Sequence, residues 1–170
     1  MKLAALRWKE KSQLKGGLMS IQNLLKAKGR FVPIISSDVK ISDVIDKLDV
    51  DKAGALVVTD DNHTILGLIT ERDIARGMKT FGRDVVDKPV AELMTRNVYT
   101  CDVTQSIDDV LRLMDGKQIH YVPITRHGQL YGIINMLDLV KYRLSQIDAE
   151  ARALKAYVAG VPHVDAGGEL

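Results

Sequence analysis

Apolar and polar positions alternate along the chain in a recognisable order. Phe31 to Ile35 form a short apolar stretch, after which Ile41, Val44, Ile45 and Leu48 recur at spacings of 3, 1 and 3, one face of a helix. The run GALVVTD (54–60) is continuous and apolar, which predicts a strand covered on both sides. A turn rich in Asp, Asn and His follows, then a second strand, ILGLI (65–69). A helix is predicted from Thr70, a residue whose side chain caps a helix start well. The order is β-α-β-β-α.

The order then returns. Residues 30–48 lie over residues 96–114 at an offset of 66 without a gap, so that Arg30 meets Arg96, Ile41 meets Ile107, Val44 meets Val110 and Leu48 meets Met114. One extra residue in the first turn lowers the offset to 65 afterwards, where Gly67 meets Gly132, Ile69 meets Ile134 and Asp73 meets Asp138. Self-similarity at a fixed period indicates a duplicated unit. One copy is too small to bury its own sheet face, so the two are expected to pack sheet to sheet about a pseudo-two-fold axis in an α/β (α+β) fold.

The connecting segments complete the layout. KTFGRDVVDKPVAEL predicts a loop and a short helix leading into the second copy, with Pro89 at the helix start, and SIQNLLKAKG is its counterpart ahead of the first. After Arg143, SQIDAEARALKAYVAG predicts one more helix, charged outside and ending at Gly160, and VPHVDAGGEL a frayed tail. The expected divisions are a basic extension (1–18), repeat 1 (19–80), a linker with repeat 2 (81–145), and a C-terminal helix and tail (146–170).

Composition narrows the function classes. The chain has 170 residues, 46% hydrophobic and 27% charged, ordinary for a globular protein with a proper core. One cysteine, Cys101, excludes an internal disulfide, fits a reducing compartment, and reads as a buried small apolar residue equivalent to Ile35. No apolar run approaches the roughly 18 residues of a membrane helix, and the N-terminus does not read as a signal peptide, so a cytoplasmic location is expected. Net charge is +2, yet residues 1–18 carry five Lys and Arg against one Glu. That extension could contact nucleic acid or an anionic surface; as a solvated, poorly ordered segment it needs no partner. The slightly acidic remainder disfavours nucleic-acid binding by the body.

Candidate chemistry gathers at GLITERD (67–73). A strand ending at Ile69 and a helix starting at Thr70 leave first-turn amides unpaired at the positive end of the helix dipole, an anion site. The Thr70 hydroxyl and Arg72 could add to a phosphate contact, and the Asp73 carboxylate could accept from two neighbouring hydroxyls, as on a ribose. The same Thr-x-x-Asp spacing is also close to a plain capping box, and on this stretch alone both readings stand.

Two β-α-β-β-α copies, each ending in Gly-apolar-apolar-[Thr/Asn]-x-x-Asp, resemble tandem CBS domains, the Bateman module, over about residues 20–145. The C-terminal KAYVAG resembles that of small bacterial stand-alone CBS pairs. The resemblance implies a non-enzymatic regulatory module that binds an adenine nucleotide (AMP foremost; ADP, ATP, NAD(H) or S-adenosylmethionine otherwise) in clefts between the copies, without a metal. It also implies a homodimer, a flat disk of four copies, whose state a protein target would read. The stronger site would combine Thr70, Arg72, Asp73 and Leu68 with Val98, Tyr99, Thr100, His120, Tyr121 and Pro123. His120-Tyr121 stands where the family carries His-Arg, so only the histidine is kept, and the first copy has Gly54-Ala55 there. The weaker site would use Asn135 and Asp138 with Ile34, Gly54 and Ala55; Leu137 replaces the arginine, so a phosphate should be held less well.

Other chemistry is thin. His63, His120, His127 and His163 show no metal-ligand spacing, no phosphate-cradling GxxxxGK[ST] occurs, and no catalytic residue is assigned. The alternatives are a scaffold or dimerisation module with degenerate sites, and a nucleic-acid binder using residues 1–18.

Overall fold

A computed structural model describes residues 20–61 and 64–159. The expected basic extension, the helix end at Gly160 and the tail after it, His63 and His163 lie outside them. In chain order the elements are α1 (Ile21–Lys28), β1 (Ile34–Ile35), α2 (Ile41–Val50), β2 (Ala55–Thr59), β3 (Ile65–Thr70) and α3 (Glu71–Phe81), then a 3-10 turn (Gly82–Asp87) and α4 (Val90–Leu93). The second half repeats them as β4 (Cys101–Asp102), α5 (Ile107–Lys117), β5 (Tyr121–Arg126), β6 (Gln129–Asn135) and α6 (Met136–Ala159).

Each copy builds one three-stranded sheet, ordered β1-β2-β3 and β4-β5-β6, the first pair parallel and the second antiparallel. The duplication is visible even in irregularities: the ladder shifts register between Val58 and Thr59 and again, 66 residues on, between Ile124 and Thr125. All five residues of β2 are buried, as its unbroken apolar run requires. On the helix after each first strand, Ile41, Val44 and Leu48 and their counterparts Ile107, Val110 and Met114 are buried. Ile45 departs from the expected apolar face and is 42% exposed. The extended piece FVPII yields two ladder residues, Ile34 and Ile35, and NVYTC one, Cys101, which Asp102 follows in β4.

The sheets face one another through Ala55, Val57 and Leu68 of copy one and Ile133 of copy two, with Val98 and Tyr121 packed at the edge. The helices ahead of the copies tie them together further. Ile21, Leu24 and Leu25 of α1 precede copy one in sequence but are buried in the core of copy two with Cys101, Ile107 and Leu139. Val90 of α4 and the following Met94, which precede copy two, are buried in the core of copy one with Ile41, Leu56 and Ile69. Each helix is stitched to the start of the helix it covers, by the Ser20–Ser106 and Lys40–Pro89 bridges. Pro89 is the N-cap residue of α4.

One expectation is corrected. No separate helix begins after Arg143; α6 runs unbroken over 24 residues. Its sequence from Met136 to Ala159 contains neither Gly nor Pro, so nothing interrupts the backbone ladder.

Candidate functional site

At the end of β3 the chain turns directly into α3, which presents the first-turn residues of the helix beside the junction of the two copies. Thr70 is the N-cap, and a complete capping box forms. The Asp73 amide donates to Thr70 Oγ1 at 3.3 Å, and Asp73 Oδ2 accepts from the Thr70 amide at 3.0 Å and the Thr70 hydroxyl at 2.6 Å. Asp73 Oδ1 points the other way, with the Thr95 hydroxyl at 3.5 Å and the Arg76 guanidinium at 3.9 Å. Among the described residues Asp73 is one of two buried polar or charged ones, 8% exposed, and it borders open space rather than core. A carboxylate held in this way keeps acceptor capacity on its outward oxygen.

That space is a cavity of about 460 Å³. Leu68, Thr70, Glu71, Arg72, Asp73 and Arg76 line it from copy one, and Lys117, Gln118, Ile119, His120 and Tyr121 from copy two. Three cations, Arg72, Arg76 and Lys117, stand against the carboxylates of Glu71 and Asp73. The capping box uses the Thr70 and Asp73 amides, which leaves those of Glu71 and Arg72 as first-turn donors at the same wall. Thr95 also lines the cavity, fixed by two backbone bonds of 2.9 Å to Leu68. Gly67 allows this approach, since a Cβ there would sit 2.7 Å from Met94 Sδ and 3.0 Å from the Thr95 carbonyl oxygen.

Six of the residues expected at the stronger site, Leu68, Thr70, Arg72, Asp73, His120 and Tyr121, share this cavity. Four do not line it. Val98 packs half-buried between the sheets, Pro123 is buried in β5, and Thr100 is exposed outside. Tyr99 stacks under the Lys117 ammonium, 5.2 Å from the ring centroid, and so reaches only the rim. Tyr121 crosses from copy two to Gly54 of copy one, where any Cβ would collide with its hydroxyl. Burial, then the Glu71 and Asp138 carboxylates, push the Tyr121 phenol up from its ordinary value.

The weaker-site residues are dispersed. Asn135 and Gly54 border a second, more open cavity of about 710 Å³ together with Asp49, Lys52, Glu71 and Tyr121. Asp138, Ile34 and Ala55 line neither cavity: Ile34 is 36% exposed on β1 and Ala55 is buried between the sheets. Asn135 and Asp138 form the reciprocal cap, with bonds of 2.8 and 2.9 Å. Here the Asp138 carboxylate is also engaged by the Lys28 ammonium, which donates in addition to the Ile133 carbonyl at 3.2 Å. Lys28 is the equivalent of Met94, and Ile133 of Leu68, so a lysine takes the carbonyl that in copy one is paired by backbone.

Sequence reasoning did not single out Thr95, Arg76, Lys117 or Lys28. Lys117 ends α5 and is legible as a helix-end charge, whereas Arg76 lies mid-helix, one turn beyond Arg72. Thr95 and Lys28 had no signal beyond their place just ahead of each copy. Among the described residues no group of three or more His, Cys, Asp and Glu is gathered to hold a metal ion, and no helix is long and apolar enough to cross a membrane.

The pattern of the CBS domain matches this chain twice, over residues 29–80 and 90–145. The chain belongs to the CBS-domain family. A CBS-domain containing protein from Agrobacterium tumefaciens is 35% identical, superposing with a TM-score of 0.71 over 73% of this chain and 98% of that one. An uncharacterized 17.7 kDa protein of Acidianus ambivalens is 32% identical over 65% of this CBS-domain chain and 66% of the relative. The chain spans 27% of the Arabidopsis thaliana protein CBSCBSPB1, so some curated relatives are far longer. The CBS domain pair of MJ0100, solved with 5′-methylthioadenosine and S-adenosyl-L-methionine, is 22% identical, with a TM-score of 0.67 over 76% of this chain and 98% of that pair; it shares the fold.

Proposed function

We propose that this CBS pair is a non-enzymatic sensor that binds an adenosyl ligand, AMP foremost, in the cleft between its copies. ADP, ATP, NAD(H) and S-adenosylmethionine belong to the same ligand class. The reading rests on one observation: a buried carboxylate, Asp73, stands with two hydroxyls and two free first-turn amides on the wall of a cavity with three cations. A ribose diol can donate to the outward oxygen of Asp73, while the amides and Arg72, Arg76 or Lys117 receive a phosphate. The volume falls within the roughly 300–1,000 Å³ of small-molecule sites. The adenosyl compounds in the MJ0100 pair agree with this class of ligand.

The lining comes from both copies, so a ligand bridges them and favours the arrangement in which both walls are in reach. A protein partner would read that arrangement. The test is thermal unfolding of the full chain with AMP, ATP, NADH and S-adenosylmethionine in turn. A ligand at 100 times its dissociation constant adds about 2.7 kcal/mol. No shift with any of the four overturns the sensor reading and leaves a scaffold with degenerate clefts.

A further inference from the structure

The two hairpins differ in charge where they turn. Between β2 and β3 copy one carries Asp60-Asp61, and between β5 and β6 copy two carries Arg126-His127. The second turn is tight: His127 and Gly128 take φ of 52° and 79°, and Arg126 pairs with Gln129 across it. Just beyond the turn, both ladders skip one residue of the returning strand, Leu66 in copy one and Tyr131 in copy two. A bulge of this kind re-aims the side chain it carries. Arg30, from the stretch ahead of β1, donates from Nη1 to the Tyr131 hydroxyl at 3.1 Å. The Arg30 and Arg126 guanidinium groups lie 5.3 and 5.4 Å from the centre of the Tyr131 ring.

Two exposed cations thus converge on one neutral phenol, and like charges this close repel. Among the described residues neither arginine is ion-paired. The Asp102 carboxylate shares their field with His127, but it is spent on the Thr104 amide and hydroxyl at 2.9 and 2.7 Å. The Arg30 hydrogen bond, with the Arg126 guanidinium behind it, holds the Tyr131 phenol below its ordinary value. A guanidinium has five donors and a phenol oxygen accepts at most two bonds, so most of these donors are open. The fold itself does not need the cluster. In copy one Asp60 stands for Arg126 and Leu66 for Tyr131, and Arg96, the equivalent of Arg30, donates to the Ala91 carbonyl at 2.9 Å.

We propose that Arg30, Arg126 and Tyr131 form a second binding site, for the phosphate dianion of inorganic phosphate or of a phosphomonoester. Two planar forks match the oxygens of a tetrahedral dianion, whose charge offsets both arginines, and the phenol keeps its own O–H to donate. Arg30 leads into copy one while Arg126 and Tyr131 belong to copy two, so a bound phosphate ties the copies together. β5 runs from Tyr121 in the cleft to Arg126, roughly 16 Å at about 3.3 Å per residue. The site is therefore separate from the cleft and does not rest on what the cleft binds.

The Gly128 amide, followed by NMR of the full chain, should shift saturably as inorganic phosphate is added at constant ionic strength. Arg30→Gln or Arg126→Gln should weaken that binding at least tenfold, with circular dichroism confirming a folded body. Replacing both arginines by lysine keeps the charge, yet should weaken binding at least threefold, because an ammonium offers no planar fork. Arg72→Gln, on the cleft wall, should leave the Gly128 response unchanged. Glycerol phosphate bound more tightly than inorganic phosphate assigns the site to an ester, and the reverse order assigns it to the free ion. The absence of a saturable shift overturns the proposal. So does a shift that survives the loss of both arginines, or one that acetate reproduces at equal concentration.

Discussion

Asp73 separates the two meanings of the Thr-x-x-Asp sequence, cap or ligand site. Asp73→Ala removes the acceptor for the Thr70 amide at 3.0 Å and for the Thr70 hydroxyl at 2.6 Å. Loss of a capping interaction costs about 1 kcal/mol, and Thr70 is only half-buried, so water replaces part of what is lost. The expected stability loss of about 1–2 kcal/mol lowers the melting temperature by roughly 2–8 °C for a chain of this size. Asp73→Asn keeps a carbonyl oxygen for the Thr70 amide and should lose less than half of that. Binding behaves differently. Hydrogen bonds to a charged acceptor contribute about 1.5–3 kcal/mol each, so either variant should weaken AMP at least tenfold. Calorimetric titration with AMP alongside urea unfolding reads both quantities. If Asp73→Asn binds AMP within threefold of wild type, Asp73 is a cap and nothing more, and the reading of the cleft fails.

Three further outcomes follow from particular contacts. Lys28 occupies the Asp138 carboxylate, so wild type should bind one AMP per chain; Lys28→Met should weaken the α1 attachment and admit a second, and a wild-type stoichiometry of two contradicts the closure. Gly67→Ala sets a methyl 3.0 Å from the Thr95 carbonyl, which cannot retreat without straining its two bonds to Leu68; unfolding in urea should show a loss of about 1–3 kcal/mol, and an unchanged midpoint refutes the close approach. Tyr121 has a raised folded-state pKa, so its contribution to stability is complete below the ordinary value of 10.0 and declines as pH rises further. Tyr121→Phe should flatten that alkaline decline in pH-dependent unfolding, and an identical slope in both proteins refutes the burial of the phenol.

The fold was legible because it is written twice. A run such as ALVVT is ambiguous alone, but its recurrence at a constant offset, followed each time by a glycine and a capping residue, leaves one element order. What pattern could not convey was which copy each preceding helix would cover. The apolar face of Ile21, Leu24 and Leu25 announces burial without naming a partner, and its partner is the core more than 75 residues away. The unbroken length of α6 was missed for a different reason: Arg143 and Ser145 suggested a boundary, yet neither side chain stops a helix. The cavity-lining residues divide on the same principle. Thr70 and Asp73 declared themselves by local spacing. Thr95 reaches Asp73 only through a backbone pairing with Leu68 that no local signal encodes.

The two clefts differ because the duplication constrained the frame and left the chemistry free. Both copies retain the glycine, the cap and the aspartate, all of which the turn from strand to helix uses whether or not a ligand is present. The positions that diverged are those the turn does not use. Arg72 stands where the other copy has Leu137, Thr95 where it has Gly29, and Met94 where it has Lys28. In copy one these differences leave Asp73 a second oxygen directed into open space, beside cations drawn from both halves. In copy two they supply an internal cation that satisfies Asp138. Asp73 is buried and Asp138 partly buried, and each carboxylate gains from a partner. Copy two sets an internal cation on Asp138 Oδ2, whereas the outward oxygen of Asp73 has only a threonine hydroxyl at 3.5 Å and a guanidinium at 3.9 Å. The acid without a close cation is the one placed where a ligand hydroxyl can reach it.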